Sequence, residues 1–275
     1  MKLFFIMTLL VSNVINAQAF QTPESAAFDS SSNRYFISNY GDGNIIQLDS
    51  AGNKSYFKTG LSKSLGMIIK DDILYVVSNP KMVKGFRLSD ASQVFEIEIS
   101  EGLFLNDITS DDSGFLYVTD SRLKAVFKID LSKKTYSLFV KTELDNPNGI
   151  IFDKANNRLV MCYFEEDSPI DQITLKDAVR TEIIKPGFDN LDGIAIDELG
   201  NFYISSWGAG SFSTGFKKEG TIYKFDNQFS VKPKAVSTGH HGPADIFYSL
   251  EKSELIIPLF MENDINVKIL TTLIE

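Results

Sequence analysis

The sequence predicts an all-β chain folded as a six-bladed β-propeller, and three observations carry that expectation. Short β-branched and aromatic runs bounded by turn residues recur throughout, such as Tyr35-Phe36-Ile37-Ser38 and Leu116-Tyr117-Val118-Thr119. Helix signals are scarce, with Asp171 to Arg180 the one weak candidate. The dipeptides Phe28-Asp29, Ile69-Lys70, Ser110-Asp111, Phe152-Asp153, Ile196-Asp197 and Tyr248-Ser249 align, their second members lying 41, 41, 42, 44 and 52 residues apart. A period of roughly 40–45 residues holding four short antiparallel strands is the pattern of a propeller blade. A β-sandwich, the competing all-β architecture, needs no such period.

Each unit opens with a strand that ends at its aligned dipeptide. A polar turn such as Asp197-Glu198-Leu199-Gly200-Asn201 leads into a second strand, marked by Tyr35, Tyr117, Leu159, Tyr203 and Leu255. In the second unit the turn Lys70-Asp71-Asp72 is shorter and the strand begins near Leu74. Third strands are expected at Asn44 to Leu48, Ala125 to Ile129 and Thr221 to Phe225, and fourth strands at Ser55 to Lys58, Tyr136 to Val140 and Lys234 to Ser237. In the sixth unit the third strand is Ile265 to Leu270, and only Thr271 to Glu275 follow. Phe20 to Thr22 is therefore expected to add the missing outer strand and close the ring, removing an open edge.

Ahead of the repeats, Lys2 precedes an apolar run from Leu3 to Ile15, interrupted by Thr8, Ser12 and Asn13, and then Ala17 and Ala19 form an A-x-A pattern. This is the composition of a secretory signal peptide. The run is too short to span a bilayer, and no cysteine follows it as a lipoprotein would require. A buried N-terminal strand or helix is the competing reading. Residues 1–19 are expected to be removed on export to the periplasm or outside, leaving 20–275 as a single propeller domain.

Composition limits the function classes. Hydrophobic residues at 43% and charged residues at 23% describe a globular chain. Its 27 basic and 36 acidic residues leave a net charge of −9, which argues against nucleic acid or anionic lipid as a partner. One cysteine, Cys162, allows no intrachain disulfide, and two histidines argue against a dedicated zinc or haem site.

In a propeller the first strand of every blade lines the central channel. Five residues before the end of each aligned dipeptide stand Glu24, Leu65, Asn106, Asn148, Asp192 and Ala244. Two carboxylates and two carboxamides facing one narrow channel would be costly without compensation. A hard divalent cation compensates them, and these oxygens suit calcium or magnesium, calcium first because it accepts irregular geometry and uncharged ligands. Turn-forming Asn and Asp at strand starts explain any one of these positions, but not Glu24, Asn106, Asn148 and Asp192 together in register.

The ends of the second strands, Asn39-Tyr40, Asn79, Asp120, Tyr163 to Asp167 and Ser206-Trp207, are expected to wall a pocket above this ring. Asp120 reads as a group supporting the cation or as a turn cap. Trp207, before Gly208-Ala209-Gly210, reads as a ring platform or as packing. His240 and His241, just before Gly242-Pro243-Ala244-Asp245-Ile246, would shuttle a proton or sit solvated in a loop. Glu165-Glu166-Asp167 reads as a solvated acidic loop, and Cys162 as a small buried hydrophobe.

The segments Leu191-Asp192-Gly193-Ile194-Ala195-Ile196-Asp197 and Asn146-Pro147-Asn148-Gly149, with Pro23-Glu24-Ser25 and Leu105-Asn106-Asp107, resemble the family of regucalcin, gluconolactonase and luciferin-regenerating enzyme. The motifs fall in four of the six units. The resemblance implies a calcium-dependent six-bladed propeller in which Glu24, Asn148 and Asp192 match the metal-binding Glu, Asn and Asp. Asn106 matches an Asn that contacts substrate or metal. Two departures stand out. Phe104 occupies the place where gluconolactonase-like members often carry an Arg that binds the sugar acid, and Ile108-Thr109 replace the Gly-Lys that commonly follows Asn-Asp. The resemblance thus implies a retained metal site and an altered sugar-acid site, suited to a more apolar lactone or ester.

The expected activity is divalent-metal-dependent hydrolysis of a small-molecule lactone or related ester. Asp192 would hold the metal and deprotonate water, while Asn106 would orient substrate or donate to the oxyanion. Two alternatives are a non-catalytic exported propeller that binds a protein or glycan on its top face, and a lyase acting on a cyclic ester.

Overall fold

In the computed structural model the described residues are 18–270, so the proposed leader, up to Ala17, and the segment Thr271 to Glu275 lie outside them. Blade 1 comprises β1 (Pro23–Asp29), β2 (Arg34–Asn39), β3 (Ile45–Leu48) and β4 (Lys54–Lys58). Blade 2 comprises β5 (Ser64–Lys70), β6 (Ile73–Ser78), β7 (Met82–Arg87) and β8 (Gln93–Glu98). Blade 3 comprises β9 (Leu105–Ser110), β10 (Phe115–Asp120), β11 (Ala125–Asp130) and β12 (Thr135–Lys141). Blade 4 comprises β13 (Pro147–Asp153), β14 (Arg158–Tyr163), β15 (Ser168–Thr174) and β16 (Arg180–Phe188). Blade 5 has β17 (Leu191–Ile196) and β18 (Phe202–Ser206), then a small hairpin of β19 (Gly210–Ser211) and β20 (Gly215–Phe216), then β21 (Gly220–Phe225) and β22 (Lys234–His240). Blade 6 comprises β23 (Phe247–Ser249), β24 (Glu254–Leu259) and β25 (Asp264–Ile269). Strands of each blade pair antiparallel in order outward from the first, and first strands of successive blades pack side by side around the axis, with β1 against β23. This is the six-bladed propeller that the repeat predicts.

Every sheet is covered on both faces by its neighbours, so the core is divided among the blade interfaces. The cluster between blades 1 and 2 joins Phe36, Ile45 and Phe57 to Met67, Leu74 and Phe86. The cluster between blades 4 and 5 joins Val160, Cys162 and Ile170 to Ile194, Phe202 and Phe225. Equivalent clusters fill the other four interfaces. Burial on both faces explains why the second strands read as nearly continuous apolar runs.

Two expectations are corrected. Asp171 to Arg180 is not a helix: it holds the end of β15, a turn with Ala178 at φ 56, and the start of β16. The segment lacks an apolar stripe at helical spacing, and Ile170 and Ile173 instead join blade interior clusters. The second correction concerns closure. Phe20 is buried against Ile37, Ile46 and Ile256, between blades 6 and 1. The next two residues, however, pair with blade 1, where the Tyr40 and Gly41 amides donate to the carbonyls of Thr22 and Gln21. Thr22, at φ 47, kinks the chain directly into β1, so this segment does not run along β25. Among the described residues blade 6 has three strands. The ring closes instead through its inner strands: the Asp245 amide donates to the Glu24 carbonyl at 2.9 Å and Ser25 Oγ to Asp245 Oδ2 at 2.5 Å.

The inner strands share one irregularity. Pairing slips between Pro23 and Ala26 in β1, Ser64 and Met67 in β5, Leu105 and Ile108 in β9, Pro147 and Ile150 in β13, and Leu191 and Ile194 in β17. A bulge of this kind breaks strict alternation and re-aims side chains. Each blade thereby offers two consecutive residues to the axis: Glu24-Ser25, Leu65-Gly66, Asn106-Asp107, Asn148-Gly149, Asp192-Gly193 and, ahead of β23, Ala244-Asp245. Where the second position is glycine, at Gly66, Gly149 and Gly193, space is nearly absent. A Cβ on Gly149 would lie 2.1 Å from the Asp192 carbonyl oxygen, and one on Gly193 would lie 2.4 Å from Asp245 Cα. Gly149→Ala must push the inner strand of blade 5 outward, and an overpacking cost of about 1–3 kcal/mol is expected. The urea midpoint of the variant should fall accordingly, and an unchanged midpoint would contradict this close approach.

Candidate functional site

A cavity of about 490 Å³ opens at one end of the channel. Its floor brings together all four polar residues singled out by repeat position, Glu24, Asn106, Asn148 and Asp192, with Leu65 beside them. Its wall is a second ring, built from the residue immediately after the second strand in five of the six blades: Tyr40, Ser121, Phe164, Trp207 and Phe260. Of the expected wall, Tyr40, Phe164 and Trp207 line the cavity. Asn39, Asp120, Tyr163 and Ser206 are buried within the sheets, and Asn79 is buried without lining the cavity. Phe104, Arg122, Asn146 and Phe212 complete the lining.

The floor residues are held by their backbones. Thr119 Oγ1 donates to the Asn148 carbonyl at 2.9 Å, Cys162 Sγ to the Asp192 carbonyl at 3.2 Å, and Ser205 Oγ to the Ala244 carbonyl at 2.8 Å. These three donors occupy the same position in the second strands of consecutive blades, each reaching the floor residue of the next. Cys162 is therefore more than a small hydrophobe, because its thiol fills a place that neighbouring blades give to a hydroxyl. Asn106 is fixed by its side chain, whose Nδ2 donates to Ser121 Oγ at 3.1 Å.

The functional ends of these side chains lack partners. Glu24 Oε2, Asn106 Oδ1 and Asp192 Oδ1 are buried with no hydrogen bond, and so is Trp207 Nε1. Leaving buried oxygens unpaired costs about 1–3 kcal/mol each, and a cation would remove that cost. The donor set fits a hard divalent ion, since it combines carboxylate and carboxamide oxygens from Glu24, Asn106, Asn148 and Asp192. Among the described residues no group of three or more His, Cys, Asp or Glu side chains is disposed as a metal site, so carboxamides are needed to complete any coordination here.

Below the floor lie two carboxylates that the repeat reading missed, Asp107 and Asp245, which border the apolar opposite mouth of the channel. Asp107 accepts the Ile108 and Ile150 amides at 2.6 and 2.7 Å. Burial, followed by the charges of Asp192, Asp245 and Asp107, raises the Glu24 carboxyl well above its usual range. Burial pushes Asp192 up to about 8, with Asp107 adding to the rise. The Trp207 indole opposes it, lying beside Asp192 at a geometry too poor for a full hydrogen bond. Asp107 is pushed up to about 7 by burial against the opposing pull of its two backbone donors, and burial and Asp107 raise Asp245.

Other candidates fall outside the cavity. His240 is buried with Nε2 at 2.8 Å from Ser237 Oγ, and His241 Nε2 lies 3.0 Å from the Phe216 carbonyl, so neither reaches the floor. Asp120 caps a turn: its carboxylate accepts the amides of Leu103, Phe104, Arg122 and Leu123. Glu166 and Asp167 are exposed, as a solvated loop requires. Trp207 lines the cavity and also packs at 4.9 to 5.7 Å on Phe164, Phe212, Phe216 and Phe260.

No family model matches the sequence, and no curated protein does. Among solved structures the chain is similar to a structural genomics protein of unknown function from Bacteroides thetaiotaomicron, at 16% identity and TM-score 0.72, covering 91% of this chain and 70% of that one. It is similar to a catalytically inactive virginiamycin B lyase from Staphylococcus aureus with quinupristin, at 16% identity and TM-score 0.66, covering 89% and 78%. It is also similar to a chain of a nidogen/laminin complex, at 14% identity and TM-score 0.66, covering 85% and 92%. At these identities the likeness shows the six-bladed propeller fold, which serves an enzyme in the lyase. No helix among the described residues is long and apolar enough to cross a membrane.

The four buried carboxyls keep their protons to higher pH in the folded chain than in the unfolded one. Without a cation the folded state thus binds more protons between about pH 4 and pH 8, and stability falls as pH rises across that window. Chelated protein should melt lower at pH 8 than at pH 5. Calcium at about a hundredfold excess over its Kd should restore roughly 2.7 kcal/mol at pH 8. A melting temperature indifferent to both pH and calcium would refute a cation-compensated cluster.

Proposed function

We propose that the protein is an exported, divalent-cation-dependent hydrolase of a lactone or related ester, of the regucalcin and gluconolactonase kind, with calcium as the preferred ion. The observation that carries this reading is the convergence of three orphaned buried oxygens, on Glu24, Asn106 and Asp192, at the floor of one cavity. Export is supported by the leader-like composition of residues 1–19, and the N-terminal mass of secreted protein tests it.

Glu24, Asn148 and Asp192 would hold the ion, with Asn106 Oδ1 completing the set. Bound there, a divalent cation supplies Lewis acidity toward an ester carbonyl. Asn106 acts as an oxygen donor and orienting group; one of its two Nδ2 hydrogens goes to Ser121, which leaves the second for a developing oxyanion. Asp192 takes the proton as a water oxygen bonds to the carbonyl carbon. Collapse of the tetrahedral adduct breaks the C–O bond, and the proton on Asp192 passes to the departing alkoxide. The aromatic wall seats the apolar part of the substrate and excludes bulk water.

Turnover of a panel of lactones with and without chelation tests the activity. Asp192→Asn should weaken calcium binding, measured by calorimetry, because charge count tunes affinity. Its turnover should stay about 10²–10⁴-fold low at saturating calcium if Asp192 is the base, whereas full recovery would leave Asp192 a ligand only. Asn106→Ala should lower turnover with a smaller change in calcium affinity. If the wild type turns over no lactone or ester, the exported binding module replaces the hydrolase.

A further inference from the structure

The cavity has two unlike sides. Phe164, Trp207, Phe260 and Tyr40, from blades 4, 5, 6 and 1, form a continuous aromatic arc, whereas blade 3 contributes Asn106, Ser121 and Arg122. The arc is extended by the one irregular spacing of the repeat. The 52-residue interval between Asp197 and Ser249 accommodates the β19–β20 hairpin, found among the described residues only in blade 5. Phe216 packs on Trp207 at 4.9 Å and ties the hairpin down. Phe212, at its tip, stacks on Phe164 at 6.0 Å and 22°, yet remains 69% exposed while lining the cavity. An aromatic side chain held open to solvent at a cavity rim is surface that an apolar ligand would cover.

Among the described residues Arg122 is the only cationic side chain in the lining. Its guanidinium lies 5.1 Å over the Phe104 ring, and it has no ion pair among the described residues. The Asp120 carboxylate binds the amides of both Phe104 and Arg122, so the two are held side by side. A preorganised, exposed and unpaired arginine suits bidentate recognition of a carboxylate. In a chain of net charge −9 such a group at a pocket rim selects for an anion.

We propose that the ligand is a ring compound bearing a carboxylate, its ring against the Phe164–Trp207–Phe212–Phe260 arc and its carboxylate on Arg122. This deepens the hydrolase reading of the same cavity, but binding alone tests it. Calorimetric titration of the full chain at saturating calcium with phthalide, phthalide-5-carboxylate and glucono-1,5-lactone provides the comparison. Fluorescence of Trp207, the sole tryptophan, reports occupancy independently. The carboxylate should bind about tenfold tighter than phthalide, Arg122→Gln should erase that difference, and Phe212→Ala should weaken both aromatic ligands. Both substituted side chains are exposed, so folding is spared. Equal affinity for phthalide and its carboxylate, a preference surviving Arg122→Gln, or tightest binding of the gluconolactone would overturn the proposal. Selective carboxylate binding without turnover would uphold it while removing the hydrolase reading. Turnover confined to aliphatic lactones would do the reverse.

Discussion

Six inner strands meet around an axis that leaves almost no room between their backbones. That crowding sets the terms for the rest of the molecule. Where the strands come closest, only the absence of a side chain is tolerated at Gly149 and Gly193, whose Cβ positions are already occupied by the next blade. The same approach buries the carboxylates of Asp107 and Asp245 and places Glu24 and Asp192, also buried, in the cavity floor. Hydrogen-bonded backbone and buried carboxyls are thus compressed into one small volume, with hydroxyl and thiol donors from the second strands holding the Asn148, Asp192 and Ala244 carbonyls in place.

The energetic burden of this arrangement is carried elsewhere. Six separate apolar clusters sit between the blades, built from side chains of every strand position, inner-strand Met67, Ile108, Ile150 and Ile194 and the floor residue Leu65 among them. A scaffold stabilised at its interfaces can keep partnerless oxygens at its centre, as sites that bind charged species require. The wall ring and the hairpin of blade 5 lie above the floor, so the proposed ligand selectivity and the proposed ion binding draw on different residues. Asn106 joins the two through Ser121, which neighbours Arg122.

The repeat made much of this legible. Blade number, strand order and the four floor residues all followed from one alignment, because a propeller places equal repeat positions on equal radii. Asp107 was missed because the alignment assumed one inward residue per strand, whereas the bulge turns two toward the axis, and Asp245 because it lies ahead of β23, where the alignment counted Ala244 alone. The wall was legible at Tyr40, Phe164 and Trp207, but Ser121 and Phe260 were missed because strand alternation says nothing about where the chain leaves the sheet. The spacing of 52 residues announced an insertion without telling that it would carry Phe212 and Phe216 over the cavity. The role of Cys162 was hidden because a thiol in an apolar run looks like packing until the facing carbonyl is known. Asp171 to Arg180 failed as a helix because weak local propensity yields to strand pairing on both sides.

Closure through Asp245, rather than through an outer strand, has a temporal consequence. Glu24 is among the first described residues to be synthesised, and Asp245 comes with the last blade. The floor cannot exist in any N-terminal fragment, because the Glu24 carbonyl and the Ser25 hydroxyl find their partners only when blade 6 arrives. Under the proposed reading, ion capture at the axis would therefore be a checkpoint on completeness: a truncated chain that stacks its early blades would still hold nothing at its centre.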